Sequence, residues 1–344
     1  MRRSLTLLLI LVFVFTVPVL CQQNINLPRV SQAANVTQRI GVTDITINYS
    51  RPGVKDRVIW GALVPYNEVW RAGANENTTI EFSTEVMIDG NKVPAGKYGL
   101  HMIPAEGDWT VILNKDNAAW GSFFYKQEND QLRFKVKPQT AEFQEWLAYT
   151  FQNPQPDNVT IVMHWEKLKI PFEVKVKLNK LVLDDIQKQL TSLPGFNWQA
   201  WNQAANFAYC TANDLDKALQ WADRSIGINR NVTNIYTKAV VLDAMGKSSD
   251  ANILKEETFK DGTEAQINAL GYQFLTAGKV DDALVLFRKN VELHPDSWNV
   301  WDSLGEGYMN KGDKKQAKEN YTKAFNMAPE NQHSRIEGIL KNLE

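Results

Sequence analysis

The chain has 344 residues, of which 44% are hydrophobic, and its 38 Lys and Arg nearly balance its 39 Asp and Glu. This length suits two domains of ordinary size, and the composition is that of a core-forming protein. The balanced charge excludes a net positive electrostatic field that would attract nucleic acid or anionic membranes. No cluster of basic and aromatic residues provides such a field locally.

The first 21 residues have the pattern of a signal peptide. Arg2 and Arg3 precede an apolar run at positions 5–20, and a polar segment follows Cys21. This order predicts export to the periplasm or the medium, with no membrane span left after cleavage. Two alternatives stay open: lipid attachment at Cys21, or an uncleaved anchor, since the run is barely long enough to span a bilayer. Cleavage would leave Cys210 alone, and its apolar helical surroundings predict a buried, inert thiol.

Apolar and polar residues alternate from about Val42 to Val176, and we assign positions 22–178 to a β domain. Ile45, Ile47 and Tyr49 alternate with polar neighbours, and the same pattern recurs around Leu100 and Ile161. Turn-forming segments rich in Gly, Pro, Asn and Asp separate these runs. Such alternation gives each strand one apolar face, so we predict about eight short strands in an all-β antiparallel sandwich.

The segment 51–79 is long for a connection between strands and holds three arginines among three large aromatic residues. Loops of this length are usually functional or cover an edge. One hypothesis is a pocket that binds a small polar or anionic ligand or a glycan, with arginines on the anion and aromatic rings stacked against it. The predicted ligand-binding residues are Arg51, Arg57, Trp70, Arg71, Asn75, Glu76 and His101. The competing interpretation is structural: Trp60 and Trp70 close the sandwich, and the arginines pair with Asp56, Glu68 and Glu76.

The same region resembles a known family. The motifs are Tyr49-Ser50-Arg51-Pro52-Gly53, Trp70-Arg71-Ala72-Gly73-Ala74, Pro94-Ala95-Gly96-Lys97-Tyr98 and Trp109-Thr110-Val111-Ile112-Leu113-Asn114. They are similar to the domain of unknown function numbered 2911, and the resemblance runs from about position 27 to 176. It implies an exported bacterial domain that is often joined to other modules, and it supplies no activity, cofactor or ligand.

Two further alternatives concern chemistry in the β region. A hydrolase would use Glu76 or His101 near Arg71 as acid or base, and a metal site would need Glu76, His101 and His164 to converge. No catalytic or metal-binding motif supports either, so we name no catalytic residue, metal or cofactor and favour a non-catalytic protein. A carbohydrate-binding module is the last alternative; its exposed aromatic residues would be Trp120, Phe123, Phe124 and Tyr125.

A change of period marks the C-terminal half. Helical spacing over 179–196 predicts a linking helix, and helix pairs are predicted over 197–344, the last two of which repeat after 34 residues. Ile267, Leu270, Gly271, Phe274, Gly278, Ala283, Phe287 and Pro295 recur as Trp301, Leu304, Gly305, Tyr308, Gly312, Ala317, Tyr321 and Pro329. This pattern resembles the tetratricopeptide repeat, an all-α helix-pair unit.

The repeat pattern also predicts details of each unit. The small residues permit close helix crossing, Gly278 and Gly312 end first helices, and Asp281 and Asp313 begin second helices. Two degenerate units lie upstream, the first with one additional residue in its loop, and a capping helix ends the array at 344.

Arrays of this type bind proteins in a concave groove, although an internal scaffold is the alternative. The register places Asn268, Tyr272, Asp302, Glu306 and Asn310 on the groove face. These residues are neutral or acidic, which argues against capture of a C-terminal carboxylate and favours a polar or basic partner segment. The sequence thus predicts an exported interaction protein.

Overall fold

A computed structural model describes residues 27–343, so the predicted signal peptide and Cys21 lie outside the described residues. Its N-terminal half contains two antiparallel sheets. The first comprises β1 (Gln32–Ile40), β2 (Thr43–Arg51), β3 (Thr79–Phe82), β6 (Gly96–Ile103), β7 (Trp109–Asn114) and β8 (Asp130–Val136), adjacent in that order. The second has the order β5-β4-β10-β9 and comprises β4 (Val86–Ile88), β5 (Asn91–Val93), β9 (Gln139–Gln152) and β10 (Asn158–Lys175).

The inner faces of both sheets form one hydrophobic core, which confirms the predicted sandwich. The expectation of short strands was wrong for β9 and β10, which form a hairpin of 14 and 18 residues. Their register shifts on both sides of Glu166, whose φ is 55°. This bulge lets so long a hairpin bend around the core.

The segment 51–79 closes one part of the core with tryptophans. The rings of Trp60 and Trp109 lie 4.8 Å apart, and Trp70 stacks on Trp165 at 5.9 Å. Trp165 is only 1% exposed. The structural interpretation of Trp60 and Trp70 is thereby confirmed, because both rings pack against the core.

The C-terminal half is helical. Helix α1 (Leu178–Gln189) and a short 3-10 turn (Leu193–Phe196) occupy the predicted linking segment. Four helix pairs follow: α2 (Trp198–Phe207) with α3 (Leu215–Ile228), α4 (Val232–Ala244) with α5 (Ser248–Asp261), α6 (Glu264–Thr276) with α7 (Val280–Leu293), and α8 (Trp298–Lys311) with α9 (Lys314–Met327). Helix α10 (Glu330–Asn342) packs Ile336 against the end of the array as the expected cap.

The packing of the helix pairs explains the repeated small residues. A Cβ on Gly271 would overlap the ring of Phe287, and one on Gly305 would stand 3.0 Å from the ring of Tyr321. Glycine therefore lets the two helices approach each other in each of the last two units. First helices begin at positions 198, 232, 264 and 298, so the second unit is two residues shorter than the period of 34.

Two details of the repeat differ from expectation. The additional residue of the first unit lies in a π-helical turn at Ala208–Ala212 and not in the loop. A helix absorbs one inserted residue in this way while keeping its ends in register. Asp313 caps α9 by accepting from the backbone of Gln316, but Asp281 lies inside α7, whose N-cap residue is Lys279.

Candidate functional site

The outer face of the six-stranded sheet carries a buried polar cluster. Leu100 and Met102 of β6 point into the core, so His101 between them points outward. His101 is nevertheless only 2% exposed, because the segment 115–126, here called the cover segment, lies over it. Its Nδ1 is 3.0 Å from Ser122 Oγ. Burial lowers the pKa of His101 to about 4, against the opposing effect of Asp130, so the imidazole is neutral at pH 7.

Arg71 is held beside His101 by the backbone. Trp70 and Met102 exchange two backbone hydrogen bonds of 2.8 Å, and the Trp70 indole turns into the core. The next residue, Arg71, therefore extends to the outer side, alongside His101. Its Nη1 occupies the space that a Cβ on Gly121 would need. The guanidinium thus lies against the cover segment, next to Ser122.

The charge of Arg71 is uncompensated. Its Nε is buried without a hydrogen-bond partner, and burial lowers its pKa, which leaves an arginine still protonated at neutral pH. Within residues 27–343 it forms no ion pair, whereas Arg29 pairs with Glu76 and Arg133 with Asp130. A half-buried cation without a counter-ion is costly, so this position favours an anion from outside.

Two other polar side chains in this cluster have a buried oxygen without a partner, although Asn77 Nδ2 donates to the Asp116 carbonyl. Asn77 Nδ2 and His101 Nε2 both lie within 3.3 Å of the point where a Cβ on Gly99 would stand. Thr79 pairs with Gly99 across the strands, so its side chain shares this face. Asn77 Oδ1 and Thr79 Oγ1 are buried and unpaired. Asn77 also borders a cavity of about 350 Å³ along β1 and β2.

The cover segment is anchored at both ends and exposed in the middle. Asp130 accepts hydrogen bonds from Asn114 Nδ2 and Tyr125 OH, each at 2.7 Å, and Arg133 binds the same Asp130 carboxylate. Between these anchors, Phe123 is 79% exposed and Trp120 is 50% exposed. Aromatic residues therefore flank the position where Arg71 meets Gly121.

The predicted ligand-binding residues fall into separate places. Arg71 and His101 come together, and the indole of Trp70 belongs to the core. Asn75 Nδ2 donates to the Ser31 carbonyl. Arg51 donates to the Leu147 carbonyl, and Arg57 donates to the carbonyls of Gly53 and Val54.

The expected pairing of these arginines with Asp56, Glu68 and Glu76 was wrong, because backbone carbonyls satisfy two of them and Arg29 occupies Glu76. This partner lowers the pKa of Glu76 and keeps it ionised. Glu76 is thus an ionised partner of Arg29 and is not placed to serve as a general acid beside His101. It therefore does not support the hydrolase alternative. Asn77, Thr79 and Ser122 were not predicted as site residues, because their neighbours in space come from distant strands and loops.

The predicted metal ligands Glu76, His101 and His164 do not form a metal-binding group in the described residues. His164 Nε2 lies 2.9 Å from the Glu142 carbonyl. Across the described part of the chain, no three His, Cys, Asp or Glu side chains are grouped to hold an ion.

The first helices of the array form a second polar surface, here called the first-helix face. Tyr272 OH donates to Glu306 Oε2 at 2.8 Å and contacts Ser303 Oγ at 3.3 Å. Burial raises the pKa of Tyr272 to about 12. Asn310 is exposed and donates to the Glu306 carbonyl. These contacts join α6 to α8 along the predicted groove.

Asp302 is occupied by the chain itself. Arg335 of α10 donates to its Oδ1 at 2.8 Å. Burial raises the pKa of Asp302, and the neighbouring guanidinium opposes that shift. The predicted acidic groove therefore already holds one cation.

Three buried amide oxygens on this face have no partner. They belong to Asn202 and Asn206 of α2 and to Asn268 of α6. Asn202 and Asn206 correspond to Asn268 and Tyr272 in repeat position and were not predicted. The shorter second unit hides this correspondence from a search at multiples of 34.

Cys210 is partly buried, and burial raises the pKa of its thiol to about 11. It is therefore a poor nucleophile. Between residues 27 and 343, no helix has the length and apolar character needed to cross a membrane.

Comparisons with known proteins give a family match for the β region and several similar solved structures. Residues 31–174 match the family described as "Protein of unknown function (DUF2911)", which confirms the resemblance of the β region. No curated protein matches the chain. Similar solved structures include MamA, with 14% identity over 44% of this chain and 88% of that chain and a TM-score of 0.26. PcrH from Pseudomonas aeruginosa has 16% identity over 33% and 90%, with a TM-score of 0.25. Pseudomonas aeruginosa pilF has 15% identity over 42% and 67%, with a TM-score of 0.25. TM-scores this low carry no functional inference, and the tetratricopeptide-type arrangement rests on the helix pairs of this chain.

Proposed function

We propose that this protein is a non-catalytic interaction protein whose helical array binds an extended, basic segment of a partner protein. The observation that carries the proposal is the row of unpaired amide oxygens of Asn202, Asn206 and Asn268 on the first-helix face. A buried acceptor without a donor costs free energy that a bound donor recovers. The backbone N–H groups of an extended peptide supply donors at regular intervals.

The carboxylates of this face favour a basic peptide. Glu306 accepts from Tyr272, and Asp302 accepts from Arg335. The bond from Arg335 shows that a guanidinium can donate to a carboxylate on this face. We infer that Lys or Arg of the partner binds near Glu306, and that the affinity falls with rising salt.

A displayed peptide library, panned on the full chain, tests this proposal. We expect enrichment of peptides rich in Lys and Arg. With an enriched peptide, Asn268→Leu and Glu306→Gln should each weaken binding about tenfold, the loss of roughly 1.4 kcal/mol. Glu256→Gln, on the exposed surface of the second helix α5, is the control and should leave the affinity within about twofold. Enrichment of acidic peptides, or full affinity in Asn268→Leu, would contradict the proposal.

We also propose that the β region binds a small polar or anionic ligand and that the protein is exported. The uncompensated Arg71 supports the first part, and the sequence of positions 1–21 supports the second. The intact mass of the protein recovered from a bacterial envelope fraction tests export. Cleavage gives a chain that begins at Gln22, lipidation adds acyl mass to Cys21, and recovery of the protein only from the cytoplasmic fraction would refute export.

Carbohydrate binding is a second candidate for the β region. The exposure of Trp120, Phe123 and Phe124 favours it, because sugars stack on exposed rings. Trp120→Ala should then reduce retention on a polysaccharide column, with Phe143→Ala, an exposed aromatic residue on β9, as the control. Equal retention of both variants would remove this candidate.

A further inference from the structure

Arg71 is a positioned cation without a counter-ion among the described residues. Arg71 is fixed by the Trp70–Met102 backbone pairing, and its Nε is buried and unpaired. Neighbouring charges do not neutralise it: Glu76 is bound to Arg29, and Asp130 is bound to Arg133. The guanidinium is only half-buried, so a ligand from solution can reach it.

The side chains placed beside Arg71 are neutral. His101 is buried as the uncharged imidazole, and Ser122, Asn77 and Thr79 add only hydroxyl and amide groups. Arg71 is therefore the one charged member of this cluster, while the Asp116 carboxylate of the cover segment accepts a hydrogen bond from Asn129. A monoanion balances the charge of Arg71, whereas a dianion such as phosphate would bring an uncompensated negative charge into a partly dehydrated site.

We propose that Arg71 and the cover segment form a binding site for a carboxylate group. The carboxylate would accept from the guanidinium, and the Ser122 and Thr79 hydroxyls would orient it. The exposed rings of Trp120 and Phe123 would contact the body of the ligand. The carboxylate belongs either to an aromatic acid or to an acidic sugar, because both present a face that stacks on such rings. This inference rests on the proposed ligand-binding role of the β region and is independent of the array.

Calorimetric titration of the full chain tests the site with four probes. They are benzoate, glucuronate, glucose and inorganic phosphate, each at constant ionic strength. We expect benzoate or glucuronate to bind at least about tenfold more tightly than glucose and phosphate. Binding of benzoate without glucuronate would identify the ligand class as aromatic acids. Binding of glucuronate without benzoate would identify it as acidic sugars. Binding of glucose as tight as that of glucuronate, tighter binding of phosphate, or no binding of either carboxylate would overturn the proposal.

Matched arginine variants locate the site. Arg71→Met keeps the length of the apolar stem without the charge and should abolish carboxylate binding. Arg57→Gln, whose guanidinium donates to backbone carbonyls of its own loop, should retain it within about threefold. Retention in Arg71→Met, or loss only in Arg57→Gln, would overturn the assignment.

A second variant protects the test against misfolding. Arg39 is exposed and paired with Asp44, so Arg39→Gln should behave as wild type in both folding and binding. If Arg71→Met unfolds, Ser122→Ala provides the measurement, because its side chain is only partly buried. We expect weaker carboxylate binding by a protein that stays folded, with a small fall in unfolding temperature because the substitution also removes the partner of His101 Nδ1. Unchanged binding would count against the site. Peptide binding by the array should persist in all these variants, which separates failure of this site from failure of the array.

Discussion

The β-sandwich and the helical array are stabilised by contacts of different sequence separation. In the sandwich, the Tyr49 hydroxyl accepts from the Tyr149 backbone, and Trp60 packs on Trp165, each across 100 residues or more. In the array, Gly271 meets Phe287 within the same unit. A change in the sandwich should therefore disturb the whole β region, while a change in the array should act first on one unit and its neighbours.

The two halves also differ in where polar groups lack partners. In the sandwich the unpaired atoms of Arg71, Asn77 and Thr79 lie in one cluster. In the array the unpaired oxygens of Asn202, Asn206 and Asn268 lie on the first-helix face of α2 and α6, and that of Asn290 lies on the second helix α7. A compact cluster suits a small ligand and a row suits an extended chain, so the predictions below test each half separately.

The largest effect is expected for Trp165→Ala. This fully buried ring contacts Trp60 and Trp70, so its loss should destabilise the β region by about 3–5 kcal/mol. Urea unfolding followed by near-ultraviolet circular dichroism measures it, with Trp120→Ala as an exposed control expected within about 0.5 kcal/mol. If the helical signal at 222 nm shifts equally, the two halves unfold as one and the comparison fails.

The next effect is the pH dependence of the β region. The pKa of His101 is about 4 in the folded protein and 6.5 when exposed, so the unfolded chain binds the additional proton between these values. Stability should therefore fall as the pH drops from 6.5 to 4, by roughly 3 kcal/mol, and this term should level off below pH 4. His101→Asn should flatten this part of the profile. An equally steep profile in that variant would exclude His101 as the source.

Gly271→Ala tests the array. The added methyl group would overlap the Phe287 ring, so we expect the free energy of unfolding to fall by about 1–3 kcal/mol. Urea unfolding followed by circular dichroism at 222 nm measures this change. Gly338→Ala in α10 meets nothing within 4 Å and should be neutral or stabilise by up to about 1 kcal/mol. Equal effects of the two substitutions would mean that helix propensity, and not close crossing, determines the role of Gly271.

The smallest effect is expected for Arg335→Gln. It leaves buried Asp302 without its cation and should cost about 1 kcal/mol, because Arg335 itself is partly exposed. The pKa of Asp302 should rise further, which carboxylate NMR can follow. Lys341→Gln, in an exposed pair on the same helix, should cost no more than about 0.5 kcal/mol. A larger loss for Lys341→Gln would contradict the structural role of the Asp302 pair.

Local patterns in the sequence predicted much of the fold. Alternation predicted the inward residues of β2, β6 and β10, and the 34-residue period predicted the last two helix pairs and Gly271. Both patterns depend on geometry that repeats every few residues, so they are visible without knowledge of distant partners. The groove positions Asn268 and Tyr272 follow from the same register.

The candidate sites depended on contacts that no local pattern contains. Alternation placed His101 on the outer face, but only the cover segment, folded back from after β7, buries it and lowers its pKa. Arg71 was predicted together with Arg51 and Arg57, yet the Trp70–Met102 pairing separates it from them and leaves its charge unpaired. The sequence by itself thus determined the two kinds of architecture and their repeating faces. The tertiary structure decided which polar groups find partners, because partner, burial and charge balance arise between segments far apart in the chain.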